Sequence, residues 1–136
     1  MKRIALLLSL TIVCCLSFLS CSSGDEPKGK ADYYVKYEVY MRTNHINATK
    51  KITVSTDNGV KSYKCSDSSS FSWEATYGPV SRDFIANLNC TVDNGSYAYA
   101  SEIQARIYIC RGQEPFVVKA EGEGKTTLSL NYQIDF

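Results

Sequence analysis

Val35-Lys36-Tyr37-Glu38-Val39-Tyr40-Met41-Arg42 is the stretch that decides the fold class of this 136-residue chain. Its odd-numbered positions hold large apolar or aromatic side chains, whereas its even-numbered positions hold three charged groups and a tyrosine. Successive side chains of a β-strand point to opposite faces, so this alternation predicts a strand with one buried and one solvated face. We therefore expect a sheet whose inner side faces a core.

The same period of two recurs through residues 32–136, interrupted by short segments that favour turns. Asp57-Asn58-Gly59 tolerates the positive φ angles of a tight hairpin. Gly78-Pro79 is predicted to stop the fourth strand, and Glu121-Gly122-Glu123-Gly124 is predicted to be a turn. No helical periodicity follows residue 31, so we predict an all-β, immunoglobulin-like antiparallel β-sandwich of seven to eight strands.

The predicted inner faces carry about twenty apolar side chains, each contributing about 1.5 to 3 kcal/mol when fully buried. This is enough to offset the ordering entropy of the domain without a disulfide. Trp73, the only tryptophan, lies mid-pattern in the fourth strand and is predicted to be a core residue rather than a ligand platform.

The composition and charge of the chain limit the classes of function that it can have. The chain is 44% apolar and 21% charged, which is typical of one globular domain. Its formal net charge is +1, and loss of residues 1–20 would remove Lys2 and Arg3, leaving 13 basic against 14 acidic groups. Neither net charge, before or after loss of residues 1–20, would attract nucleic acid, so we expect no nucleic-acid partner.

The first 31 residues resemble the start of a bacterial lipoprotein. Residues 1–20 combine two basic residues, an apolar run and a small-residue end, which predicts a signal peptide rather than a membrane-spanning helix. Ser20-Cys21 is similar to the end of a lipobox, with Phe18 where leucine is commoner, so the resemblance implies lipidation at Cys21. Asp25 and Glu26 look like the surface-export tag of Bacteroidota lipoproteins.

Residues 21–31 have no large apolar side chain and are predicted to be a flexible tether. Each acyl methylene buried in a bilayer contributes about 0.8 kcal/mol, so two or three chains would hold the protein firmly. We therefore expect an outer-membrane lipoprotein at the cell surface or on the periplasmic face. A plain signal peptide with an incidental Cys21 and a eukaryotic secreted protein, with Asn47-Ala48-Thr49 as a glycosylation triplet, stay open.

Three cysteines follow the predicted tether: Cys65, Cys90 and Cys110. No pair has metal-ligand spacing, so no metal site is expected. If segments 84–92 and 102–111 pair as a hairpin, Cys90 lies several residues from the partner of Cys110, too far for a disulfide. A bridge between Cys65 and Cys110 and a set of free thiols are both left open.

Several blocks of the domain together resemble the small mycobacterial transport-accessory proteins and related short bacterial lipoproteins. They are Val35-Lys36-Tyr37-Glu38-Val39, Ile52-Thr53-Val54, Phe71-Ser72-Trp73, Ala86-Asn87-Leu88, Ile103-Gln104-Ala105-Arg106-Ile107 and Leu128-Ser129-Leu130. The resemblance implies an immunoglobulin-like sandwich tethered to an envelope membrane. Ala105 and the final strand lack the cysteines of that family, so its bridge is not expected here. A transporter-assisting role is implied only weakly, because a fold does not determine function.

Few residues of the sequence suggest a catalytic or metal-binding role. His45 is the sole histidine and lies in a polar loop, where we expect it to be exposed and neither a general base nor a ligand. The carboxylates fall on outward strand positions or in turns, and no glycosidase pair stands out. We therefore expect no enzyme activity and no cofactor.

The strongest binding signal is the small-residue loop that contains Tyr97 and Tyr99, which are the candidate ligand-binding residues. Packing of these rings over the sandwich end is the alternative. Outward Tyr34, Tyr40 and Tyr108 could instead cover a neighbouring protein. We expect a non-catalytic, lipid-anchored cell-envelope protein that serves as an accessory or structural binding module with an envelope protein partner. A glycan- or host-surface-binding lipoprotein and an inhibitor or immunity-type lipoprotein are the alternatives.

Overall fold

The structure, a computed structural model, describes residues 32–95 and 100–136. This part of the chain contains eight strands and no helix. The strands are β1 (Tyr33–Thr43), β2 (Thr49–Thr56), β3 (Gly59–Cys65), β4 (Ser70–Val80), β5 (Ile85–Asp93), β6 (Ser101–Arg111), β7 (Val117–Gly124) and β8 (Thr127–Gln133).

Two four-stranded sheets make up the domain. The β1 sheet has the order β4-β1-β6-β7, and the β2 sheet has the order β3-β2-β5-β8. All six neighbouring pairs are antiparallel. The prediction of an all-β, antiparallel sandwich of seven to eight strands is confirmed.

The core lies between the two sheets and follows the predicted alternation. Val35, Tyr37 and Val39 of β1 are buried, while the even-numbered residues between them are half-buried on the outer face. Ile52 and Leu88 face them from the β2 sheet and are also buried. Tyr37 keeps its hydroxyl satisfied by donating a hydrogen bond to the carbonyl oxygen of Ser55, 2.8 Å away.

The hairpin between β2 and β3 confirms the turn predicted at residues 57–59. Gly59 has a φ of 102°, a conformation that glycine adopts without steric cost. Thr56 stabilises the turn because its hydroxyl donates to the carbonyl of Gly59 at 2.8 Å and accepts from the amide of Asn58 at 3.2 Å.

Segments 84–92 and 102–111 do not pair with each other, so the hairpin considered above does not form. β5 pairs with β2 and β8, whereas β6 pairs with β1 and β7 in the opposite sheet. The connection after β5 therefore carries the chain from one sheet to the other. Alternation indicates which face of a strand is buried but not which sheet the strand joins, so both segments could share a core without pairing.

The predicted stop at Gly78-Pro79 is also wrong, because β4 continues to Val80. β4 is an edge strand of the β1 sheet, where the missing N–H of Pro79 costs no ladder hydrogen bond. Gly78 has a φ of 143°, and a Cβ there would lie 2.8 Å from the carbonyl oxygen of Tyr33. This glycine allows the edge strand to lie close to the start of β1.

Residues 121–124 belong to β7 rather than to the predicted turn, which lies at residues 125–126 instead. β7 is the other edge of the β1 sheet and lies against β8 of the β2 sheet. A Cβ at Gly122 would lie 3.1 Å from Leu130, and one at Gly124 would lie 2.4 Å from the carbonyl oxygen of Thr127. Gly122 makes room for packing between the sheets, whereas Gly124 borders the turn at residues 125–126, where a Cβ would meet the backbone three residues further along the chain.

Trp73 packs against the core, as predicted, but from the rim rather than from the centre. It lies half-buried on the edge strand β4, and its ring centroid is 4.9 Å from that of Tyr63 on β3. Tyr63 shares a 2.6 Å hydrogen bond with Tyr77. These rings close the open side of the sandwich between β3 and β4.

All three cysteines of the described domain are free thiols. Cys65 lies on the edge strand β3 and Cys110 lies on β6 of the opposite sheet, so the bridge left open between them does not form. Cys90 is buried in the core on β5, where burial raises the pKa of its thiol to about 12.

Candidate binding groove

A groove crosses the outer face of the β1 sheet, on the side away from the core. It has a volume of about 430 Å³ and touches all four strands of that sheet. Strand register aligns its outward side chains in two rows, and four strands about 4.8 Å apart give it a length of about 14 Å. The rows are Glu74, Glu38, Arg106 and Glu121, and Ser72, Tyr40, Gln104 and Glu123.

The outer face of the β1 sheet has an excess of negative charge. Five carboxylates and three cationic groups project from it, which gives a net charge of −2; they are Glu38, Glu74, Glu102, Glu121, Glu123, Lys36, Arg42 and Arg106. The outer face of the β2 sheet differs, since Lys51 and Lys64 lie directly opposite each other there. Asp93 projects from the same face, so its net charge is +1, against −2 on the outer face of the β1 sheet.

An ion-pair network fixes the β4 side of the groove. The Lys36 ammonium lies 2.7 Å from Glu38 and 3.2 Å from Glu74, and the Tyr108 hydroxyl donates a hydrogen bond to Glu38. The hydrogen bond from Lys36 holds the pKa of Glu38 below its usual value. The same pairing raises the pKa of Lys36. Glu38 is consequently a fixed anion at neutral pH.

The β7 side of the groove is built from a second, looser pair. The Arg106 guanidinium lies 3.4 Å from Glu121, and both side chains are more than half exposed. Glu123 projects from the same face two residues further along β7. Exposed pairs of this kind contribute at most about 1 kcal/mol, so the groups can rearrange to meet a ligand.

Tyr40 gives the groove an aromatic surface. It projects outward from β1 between Ser72 and Gln104, and 38% of it is exposed. An amphipathic ring flanked by amide, hydroxyl and carboxylate groups can stack on a flat or cationic group while its neighbours form hydrogen bonds. The groove can therefore bind a ligand without any covalent chemistry.

Comparisons with known proteins identify no relative. No protein-family model matches the chain, and no curated protein or solved structure matches it either. The resemblance to the mycobacterial transport-accessory proteins therefore stays a prediction from the residues. Function has to be inferred from the groove itself.

Of the residues predicted to carry function, some lie outside the described part of the chain, and one lines the groove. Cys21, Tyr97 and Tyr99 lie outside the described residues, so the lipidation site and the aromatic loop stay predictions. Tyr40 and Tyr108 project outward, as predicted, and Tyr40 lines the groove. The sequence reasoning missed the groove because strand register, which it did not have, brings the outward glutamates of three strands together.

His45 lies in the loop after β1, as predicted, but it is half-buried rather than exposed. Its amide donates a hydrogen bond to the hydroxyl of Thr43 at 3.2 Å, which ties the residue to the end of the strand. It does not line the groove.

Within residues 32–95 and 100–136, no group of histidine, cysteine, aspartate and glutamate side chains is placed to hold a metal ion. The same residues include no helix long and apolar enough to cross a membrane.

Proposed function

We propose that this chain is a non-catalytic, lipid-anchored envelope protein that binds another envelope protein on the outer face of its β1 sheet. The observation that supports binding is the groove, which crosses all four strands and combines an aromatic ring with charged side chains. Flat outer faces of antiparallel sheets need only polar side chains to be soluble, so a groove with this composition favours a ligand over mere solvation.

The proposed anchor is Cys21, with residues 21–31 as the tether that leads to β1. The sequence pattern alone supports this step. Palmitate labelling of cells that express the protein should give a labelled band, and Cys21→Ser should abolish it. Cys65→Ser is the matched control and should leave labelling unchanged. Mass spectrometry that finds a first residue other than Cys21, or no acyl mass, would remove the anchor from the proposal.

The electrostatics of the groove support the absence of catalysis. A glycosidase needs one carboxylic acid whose pKa is raised so that it can donate a proton at neutral pH. Glu38 is the most enclosed carboxylate of the groove, and its ion pair with Lys36 shifts its pKa in the opposite direction. A fixed anion of this kind suits binding.

Site-specific crosslinking tests the binding surface. A photo-reactive benzophenone side chain at position 104 lies in the groove, and one at position 89 lies on the outer face of the β2 sheet. Illumination of whole cells should give one dominant adduct from position 104 and none from position 89. Equal adducts from both positions, or an adduct from position 89 alone, would contradict the assignment of the binding face.

A second candidate function is glycan binding, because Tyr40 exposes an aromatic face beside hydrogen-bonding groups. A glycan array compares the protein with Tyr40→Ala and with the double variant Tyr97→Ala, Tyr99→Ala. Binding lost only in Tyr40→Ala would favour the groove as a sugar site, and binding lost only in the double variant would favour the loop. Absence of binding to every glycan would leave the protein partner as the surviving candidate.

A further inference from the structure

We infer that the ligand of the groove is an extended, basic peptide segment with two cationic side chains about four residues apart. This inference rests on the proposed function and names the chemistry of its partner. It depends on three features of the described residues: the charge balance at each end of the groove, the length of the groove and the position of Tyr40.

At each end of the groove, carboxylates outnumber cationic side chains. At the β4 end, Glu38 and Glu74 share the single cation Lys36. At the β7 end, Glu121 and Glu123 line the groove with a single cation, Arg106, which lies 3.4 Å from Glu121. Each end therefore has one negative charge more than its own cation neutralises. A ligand that carries one positive charge at each end of the groove would neutralise both surplus negative charges.

The length of the groove defines the spacing of those charges. The two ends are three strand spacings apart, or about 14 Å. An extended peptide rises about 3.4 Å per residue, so side chains four residues apart are also about 14 Å apart. Because the side-chain period of an extended chain is two, residues four apart also point to the same face. A basic peptide can therefore reach both ends while it lies across the strands.

Tyr40 lies between the two ends and adds affinity for a cationic peptide. Its exposed ring can contact the aliphatic stem or the charged head of a basic side chain. Ser72 and Gln104, in the same row, offer hydrogen bonds to the peptide groups of the segment. An anionic ligand would meet the surplus carboxylates, so charge complementarity favours a basic partner.

Fluorescence anisotropy with a labelled synthetic peptide tests the inference. The probe is a Ser/Thr peptide of about nine residues with two arginines about four residues apart. Two control peptides carry the same arginines side by side, or glutamates in place of the arginines. The first peptide should bind best, and its affinity should fall when the salt concentration rises from about 50 to 500 mM.

Two double variants with the same change of net charge locate the binding. Glu74→Gln with Glu123→Gln removes one carboxylate from each end of the groove. Asp32→Asn with Glu114→Gln removes two carboxylates that do not line it. The groove variant should weaken binding of the spaced peptide about tenfold, and the control variant less than twofold. Circular dichroism should show the same fold for both, since all four side chains belong to exposed residues.

Three results would overturn the inference: equal weakening in the two double variants, no preference for the spaced arginines, or no binding of any basic peptide. Binding of neutral oligosaccharides that Tyr40→Ala abolishes would assign the groove to a glycan instead. The proposed function has separate readouts. A crosslinked partner at position 104 without peptide binding would refute the basic segment alone. Absence of palmitate labelling in the parent protein would refute the anchor alone.

Discussion

Replacement of Gly124 by alanine should destabilise the domain, although the residue lies in a strand where alanine is otherwise preferred to glycine. The added Cβ would lie 2.4 Å from the carbonyl oxygen of Thr127, a backbone atom at the start of β8. Non-bonded atoms do not approach so closely, so the turn at residues 125–126 would have to change its conformation. Gly122→Ala is the matched control, since its Cβ would meet only the side-chain ends of Leu130 and Leu128, at 3.1 and 3.2 Å.

The expected magnitudes follow from these two environments. Loss of chain entropy in the unfolded state favours alanine by about 0.4 to 1 kcal/mol at both positions. Overpacking against the backbone costs about 1 to 3 kcal/mol, so Gly124→Ala should lower the free energy of unfolding by about 1 to 2 kcal/mol. At Gly122 the leucine ends can rotate, and the free energy should change by less than about 0.5 kcal/mol.

Urea denaturation followed by the fluorescence of Trp73 measures both variants. Thermal unfolding should agree, with a midpoint for Gly124→Ala about 4 to 15 °C below that of the parent. Equal stability of the two variants, or a Gly124→Ala protein more stable than the parent, would refute the reasoning that close backbone packing selects glycine here.

Three further outcomes are expected. Tyr37→Phe removes the hydrogen bond to the carbonyl of half-buried Ser55 and should lower the free energy of unfolding by about 0.5 to 1.5 kcal/mol in urea denaturation; no loss would mean that the hydrogen bond contributes nothing. Iodoacetamide at pH 8 should label half-exposed Cys65 within minutes and Cys90, whose pKa burial raises to about 12, only in denaturant; equal rates would contradict the packing. Because the folded-state pKa of Glu38 is lowered, its ion pair should stabilise the domain above about pH 5 and lose that effect as the pH falls below the ordinary value of 4.5. Glu38→Gln should therefore unfold with a shallower dependence on pH between about 5 and 3, and an unchanged slope would refute the assignment.

Much of the fold could be predicted because strand alternation is a local property. The side chains of β1 and β6 that the period of two assigned to an inner face are buried, although Cys110, which it assigned to the outer face of β6, is buried as well. The tight turn at Gly59 was also predictable, since few residues other than glycine adopt its φ. Strand pairing was harder to predict from the sequence. It depends on which sheet each strand joins, and the two sheets share one core that alternation alone does not divide.

The glycines show the same limit at a finer scale. Gly78 and Gly122 resemble turn residues in the sequence, yet both lie in edge strands, where an added Cβ would meet Tyr33 at 2.8 Å and Leu130 at 3.1 Å, respectively. Local chemistry cannot distinguish a glycine that turns the chain from one that makes room for a neighbour. Both uses depend on the absence of a side chain, and only the neighbouring strand identifies which applies.

The candidate groove belongs almost entirely to the tertiary structure. Outward glutamates on β1, β4 and β7 are far apart in the chain, and antiparallel register brings them into two rows. The sequence identified Tyr40 as outward, but it could not show that a groove forms around this ring.

The sequence by itself determined the fold class, the inner and outer face of the main strands and the character of the tight turn, because each depends on near neighbours in the chain. The tertiary structure decided the sheet to which each strand belongs, the free state of the three thiols and the gathering of charge on one outer face. These depend on contacts between distant residues, whose energies no local pattern records.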